Sequence, residues 1–297
     1  METELVNWIL RDIPASPASV IGNGDDCAVI CQSRSSELIA TDMLLDGTHF
    51  LSESISPELI GRKAVAVNFS DIAAMGGRPT SVFISLAVPR ATDQKWLERV
   101  LKGAHDMAKE FGCGIDGGDT NSWTGKFAIN VCVTGKPHWR GPVRRSGALK
   151  GDAIMITGQS LGGSLSSGHH ATFTPRLAEC TWLLDRVPIH SMIDVSDGLG
   201  SDATHLASAS QKKFLLDSSK ITTLRPNDPS YRSIFCDGED FELLFTCSLS
   251  VAEYLLKSFP WPCGLRQIGV VEDGQGVYTR HKDGKSPVQL EFSGYQH

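Results

Sequence analysis

Strand-like and helix-like segments alternate along the whole of this 297-residue chain, and that alternation confines it to α/β architectures. Strands are predicted at Glu37–Leu44 and at Thr80–Pro89, where Val82, Ile84, Leu86 and Val88 alternate with smaller or polar neighbours. Between them Pro57–Met75 reads as a helix, because Ser56 can cap it, Pro57 suits its first turn and Gly76-Gly77 stops it. Its stripe of Ile60, Ala64, Val67, Asp71 and Ala74 sets a carboxylate on an otherwise apolar face, which is costly unless something pairs with it. A second helix is expected over about Asp93–Phe111, stopped by Gly112, followed by an alternating strand at Phe127–Val133. Lys136–Gly151, rich in Gly, Pro and basic residues, reads as the crossing between two domains. The series then resumes with strands at Ala153–Thr157, Met192–Val195, Phe241–Thr246, Leu265–Val271 and Gly276–Arg280. Helices are expected near Arg176–Val187, from about Gly198, and at Val251–Phe259. The expectation is therefore two α/β domains, residues 1–138 and 139–297.

Composition supplies exclusions. Hydrophobic residues make up 41% of the chain, enough for a core in each domain. Lys and Arg number 28 against 34 Asp and Glu, a net charge of −6, which argues against a chain whose main work is gripping nucleic acid. No apolar run approaches a membrane span, and Met1-Glu2-Thr3-Glu4 lacks the basic and apolar regions of a secretion signal. Neither nucleic acid nor membrane is an expected partner. The eight cysteines are dispersed and form no CxxC pair, as expected of reduced thiols in a cytoplasmic enzyme.

Acidic residues recur beside Gly, Ser or Thr in six places: Gly24-Asp25-Asp26, Thr41-Asp42, Ser70-Asp71, Gly117-Gly118-Asp119-Thr120, Asp194-Val195-Ser196-Asp197-Gly198 and Gly238-Glu239-Asp240. They are expected at strand ends, which in α/β domains face the crevice where ligands bind. One such aspartate alone is more often a turn residue or a helix cap. Six clusters converging on one crevice would repel one another without hard divalent cations, and Mg²⁺ commonly bridges carboxylates to substrate phosphates.

Common phosphate motifs fail. Gly284-Lys285-Ser286 has the tail of a Walker A loop, but Thr279 stands where its first Gly belongs. Gly22-x-Gly24 opens a dinucleotide fingerprint, yet Cys27 replaces the last Gly. No H-R-D, D-F-G or G-x-S-x-G occurs, which excludes a protein-kinase site and argues against a serine hydrolase. Metal-mediated phosphate chemistry outside the common nucleotide folds remains.

At these residues the chain resembles the thiamine-monophosphate kinase family, within the superfamily that includes aminoimidazole ribonucleotide synthetase. The resemblance runs in order through Gly22–Ala28, Thr41–Leu44, Gly47–Phe50, Ala64–Gly76, Gly117–Thr120, Arg145–Ala148, Ile193–Leu199 and Gly238–Leu244, nearly the whole chain. It implies ATP-dependent phosphorylation of thiamine monophosphate to thiamine diphosphate. By motif it implies Mg²⁺ ligands at Asp26, Thr41, Asp42, Asp71, Asp119, Asp194 and Asp197. It implies ATP contacts at Gly118, Asp119, Arg145 and Ser196, and acceptor contacts at His49, Glu239 and Phe292. The implied fold is an N-terminal α/β domain whose mixed sheet pairs across a homodimer, followed by a C-terminal α/β domain closing the cleft.

This chemistry suits the residue types. The acceptor is a phosphate oxygen, ionised at neutral pH, so direct in-line transfer needs alignment and charge neutralisation and no side-chain nucleophile. Arg145 can add a fixed positive charge. Three features depart from the family pattern: Asp237 before Gly238-Glu239, Phe292 where Trp is usual, and a shortened stretch from Thr157 to Arg176. They bear on the acceptor, not on the metal or ATP residues. The alternative readings are a superfamily enzyme with another acceptor or a non-catalytic nucleotide-binding relative. The first cysteine, Cys27, lies inside an aspartate motif, unlike the reactive residue of the selenophosphate-forming branch. The chain ends in Gly294-Tyr295-Gln296-His297, without the C-terminal Cys of the hydrogenase-maturation branch.

Overall fold

The computed structural model describes residues 19–21, 25–32, 35–162, 165–224, 235–280 and 288–290. The first sheet contains β1 (Ser19–Ile21), β2 (Ala28–Gln32), β3 (Ser35–Leu45), β4 (Gly77–Pro89), β5 (Ile115–Trp123) and β6 (Ala128–Pro137). Their order is β1-β2-β3-β6-β4-β5, antiparallel throughout except for the β4–β5 pair. The second sheet contains β7 (Ala153–Thr157), β8 (Ser191–Asp194), β9 (Lys213–Asp217), β10 (Leu243–Cys247), β11 (Leu265–Glu272), β12 (Gly276–Arg280) and β13 (Val288–Gln289). Its order is β13-β12-β9-β11-β7-β10-β8, with only β9 and β12 parallel. Both sheets are mixed, as expected for the first.

Among the described residues, the helices are α1 (Pro57–Ala74), α2 (Gln94–Glu110), α3 (His169–Thr172), α4 (Leu177–Arg186), α5 (Leu199–Ser210) and α6 (Leu249–Ser258). The signals at the ends of α1 act as the sequence suggests. Ser56 Oγ accepts from Leu59 N, Pro57 opens the first turn, and Gly76 beyond the helix takes φ +72°. Its middle differs from the expected single stripe. Ile60, Lys63, Ala64, Val65, Ala66, Val67, Asn68, Phe69, Ser70 and Ile72 are all buried, so α1 is enclosed on nearly every side.

The enclosure comes from both halves of the chain. α1 packs on β3, β4, β6 and α2, and on β8, α3 and α4. One apolar core accordingly runs from Ile60, Phe69 and Ile72 through Met155, Leu183 and Phe245. The other face of the second sheet is covered by α5, where Ile154, Leu206 and Phe214 form a separate core. Opposite α1, the first sheet leaves Met43, Leu45 and Phe83 exposed.

Most of the acidic residues do not stand at strand ends. Asp42 lies inside β3, Asp119 inside β5 and Asp71 in the last turn of α1, while Asp194 does close β8. β5 itself carries no apolar alternation, and it is a strand because β4 supplies a parallel ladder that pairs Ser85 with Asp119.

α1 and α2 cross at van der Waals contact through two glycines. A Cβ on Gly61 would stand 1.8 Å from Val100 O, and one on Gly103 1.9 Å from Glu58 O. Helix propensity alone would make Gly103→Ala stabilising by about 1 kcal/mol. The clash wins here, so Gly103→Ala is expected to destabilise the protein by about 1–3 kcal/mol, read as a lower urea midpoint.

Candidate active site

The last turn of α1 delivers Asp71 to a small cavity between the two halves. One carboxylate oxygen from each of Asp26, Asp71 and Asp194 lies within 4.8 Å of the others. These residues come from the turn before β2, from α1 and from the end of β8. The Asp42 carboxyl adjoins that of Asp71, so each raises the cost of ionising the other. Ser70 Oγ donates to Asp194 Oδ2 at 2.6 Å and so ties α1 to β8. Asp42, Asp71, Asp194, Ser196 and Asp197 line the cavity together with His49, Glu239 and Phe241.

Charge in this cluster is poorly compensated. Burial and the neighbouring carboxylates push Asp42 up to about 6 and Asp194 up to about 8, and raise Asp71 well above the usual carboxylate range. The cluster's cationic partner is Arg145, whose Nε and Nη2 fork onto Asp26 Oδ2 and Oδ1 at 3.2 and 3.0 Å. Its backbone N–H donates to Asp25 Oδ1 at 2.7 Å, which fixes the crossover segment over the cluster. Burial opposes the Arg145 charge, but Asp26 outweighs it and keeps the guanidinium protonated. A converging set of hard oxygen donors with one compensating cation fits a divalent ion such as Mg²⁺. Asp197, Asp202 and His205 also offer ligand atoms within 4.8 Å of one another, although Asp202 Oδ2 already accepts from Asp197 N at 3.1 Å. Burial and the surrounding aspartates raise the Cys27 thiol, so it is no ready nucleophile.

The remaining expected residues fall into two groups. His49 and Glu239 both line the cavity. Glu239 sits in a loop clamped to the segment after β8: its N–H donates to Ser196 O at 2.8 Å, and Phe241 N donates to Val195 O at 2.7 Å. A Cβ on Gly238 would come 2.2 Å from Ser196 O, so only glycine permits the clamp. Glu239 and Phe241 both take left-handed φ, +68° and +52°.

Thr41, Asp119 and Gly118 are not among the residues lining the cavity. Strand alternation sends Thr41 to the open face of the first sheet, where its hydroxyl donates to Val131 O at 3.1 Å. Asp119 is exposed on β5 and accepts from Thr120 N and Asn121 Nδ2 at 2.8 and 2.7 Å. At Gly118 a Cβ would lie 1.8 Å from Ile84 O, which gives this glycine a packing reason of its own. Asp237 is half-buried and likewise absent from the lining. Phe292 lies outside the described residues. The sequence reading passed over Lys63, a fully buried cation whose signal was a charge inside an otherwise apolar helix.

With this geometry in view, the similarities to known proteins become specific. A family model for AIR synthase related protein, N-terminal domain, matches residues 24–136. A thiamine-monophosphate kinase of Rhodopirellula baltica is 34% identical over 300 residues, covering 94% of this chain and 92% of its own length. The chain belongs to the thiamine-monophosphate kinase family. A second relative of that name, from Pyrococcus horikoshii, is 33% identical over 297 residues, covering 92% of this chain and 90% of its own length. Among solved structures, AaThiL complexed with AMPPCP and TMP superposes with a TM-score of 0.80 at 28% identity, over 100% of this chain and 96% of that one.

The raised carboxyls give a pH signature. A carboxyl whose pKa is higher in the fold than in the unfolded chain stabilises the fold at low pH, and that contribution is lost as pH rises through the folded value. For Asp42 and Asp194 the loss spans the range from their ordinary 3.8 to about 6 and about 8. Melting temperature in EDTA is therefore expected to fall between about pH 5 and about pH 8, with Mg²⁺ raising it more at the upper end.

Proposed function

We propose that this chain transfers the γ-phosphoryl group of ATP directly to thiamine monophosphate, giving thiamine diphosphate. The observation that carries the reading is the convergence of Asp26, Asp71 and Asp194 beside a cavity walled by His49 and Glu239. Membership of the thiamine-monophosphate kinase family and likeness to AaThiL complexed with AMPPCP and TMP identify the two substrates.

The proposed division of labour follows the geometry. Asp26, Asp42, Asp71, Asp194 and Asp197 would hold Mg²⁺, more than one ion if Asp197 and Asp202 take their own. Bound there, Mg²⁺ would neutralise the phosphate oxygens while the γ-phosphoryl group moves. Arg145, held by Asp26, supplies a fixed cation for the polyphosphate, and Ser196 a hydroxyl at the cavity wall. Glu239 faces the acceptor, whose thiazolium ring is cationic, and His49 borders the same space. No proton need leave the attacking phosphate oxygen, which accords with the lack of any general base in the assignment.

Assembly and setting belong to the same reading. The exposed Met43, Leu45 and Phe83 on the open face of the first sheet, with Trp123 at the end of its edge strand, support a homodimer through that sheet. Among the described residues no helix is long and apolar enough to cross a membrane; the setting proposed for the reaction is the cytoplasm, where ATP is available.

Three measurements check this. ATP, Mg²⁺ and thiamine monophosphate with the wild-type chain are expected to give thiamine diphosphate by mass; its absence at saturating substrates would defeat the acceptor assignment. Asp71→Asn is expected to keep the fold and lower kcat by about a hundredfold or more, through lost metal charge. Sedimentation at micromolar concentration is expected to show a dimer that Phe83→Glu weakens.

A further inference from the structure

Among the described residues, Lys63 is a fully buried charged side chain that the phosphoryl-transfer chemistry leaves unused. It is 0% exposed, in the middle of α1, and its ammonium has three N–H donors to satisfy. Nζ donates to His49 O at 2.6 Å, lies 3.0 Å from His170 Nδ1, and pairs with Glu239 Oε2 at 2.6 Å. Burial and Lys63 lower the His170 pKa to about 4, so its ring is neutral and Nδ1 is free to accept. Three separate segments therefore end on one ammonium: the turn after β3, the short α3, and the loop before β10.

The neighbours reinforce the arrangement. Arg62, the preceding residue, donates from Nη1 to Ala171 O at 3.2 Å and from Nη2 to Phe173 O at 2.5 Å. Phe173 stacks on Phe241 at 4.1 Å and 16°. Since Phe241 and Glu239 line the cavity, consecutive basic residues of α1 fix both the polar and the aromatic part of one wall. Glu239 also holds a left-handed backbone that L-residues disfavour, so something must over-determine its position. The Lys63 ammonium contributes to that by pairing with the Glu239 carboxylate at 2.6 Å.

We infer that Lys63 is a positioning residue for acceptor binding: it touches neither ATP nor metal ligands and holds Glu239 and the His49 turn in the shape that receives thiamine monophosphate. This rests on the acceptor assignment above and adds to it a residue that sets acceptor affinity alone. His170 belongs to the shortened segment, so that departure from the family pattern ends on the same ammonium.

The test is steady-state kinetics of Lys63→Met, Lys63→Arg and Glu239→Gln in the full-length chain, with wild-type thiamine diphosphate formation established first. Lys63→Met is expected to raise KM for thiamine monophosphate by at least about tenfold, with KM for ATP unchanged and kcat within about threefold. Lys63→Arg, which keeps the charge but not the shape, is expected to fall between the two. In Lys63→Met/Glu239→Gln the lysine change is expected to add nothing beyond Glu239→Gln, because its target is gone. If Lys63→Met alone fails to fold, this pair, with no buried charge left unpaired, decides the matter. Equal rises in both KM values, a fall in kcat alone, an unchanged acceptor KM, or additive losses in the double variant would each overturn the inference. An inactive wild type would instead indict the acceptor assignment.

Discussion

Everything at this site depends on a helix that is buried almost all the way round yet carries charge. α1 is enclosed by the first sheet on one side and by β8, α3 and α4 on the other, and it still bears Lys63, Ser70 and Asp71. Burying such groups is unfavourable unless each finds a partner. The partners come from the second half of the chain: Glu239 and His170 for Lys63, Asp194 for Ser70. The polar groups of α1 thus join the two halves around one cavity as well as lining it. The apolar core supplies the bulk of the burial, and these few contacts set the register in which the halves meet.

The same helix separates two kinds of chemistry along its length. Its last turn presents a carboxylate to an acidic cluster braced by Arg145, and its middle presents cations to a glutamate and to backbone carbonyls. About two helical turns lie between Lys63 and Asp71, so the Glu239 pairing and the carboxylate cluster are held at a fixed spacing by one rigid element. In-line transfer between two phosphates needs such alignment more than it needs a base or a nucleophile.

Much of this was legible in the sequence, for reasons that can be named. The ends of α1 were read from Ser56, Pro57 and Gly76, and β7 and β12 have the expected bounds because apolar alternation and flanking glycines mark them. Asp26, Asp42, Asp71, Asp194 and Asp197 were singled out as acids beside small residues, and the fold brings them together or onto one cavity. β5 escaped because Ile115–Trp123 has no apolar face and owes its strand form to pairing with β4. The expectation that the acids stand at strand ends failed for a related reason: Asp42 sits mid-strand and faces α1, a relation that only tertiary packing creates. Lys63 went unnoticed because its three partners lie 14, 107 and 176 residues away.

The central claim is that Asp26, Asp71 and Asp194 form a divalent-cation site at the point where phosphoryl transfer occurs. The most direct test is anomalous diffraction from crystals grown with Mn²⁺ and a non-hydrolysable ATP analogue. An anomalous peak bounded by these three carboxylates, and lost in Asp71→Asn, is the expected result. Mn²⁺ bound only elsewhere, with the analogue's γ-phosphate remote from all three, would contradict it.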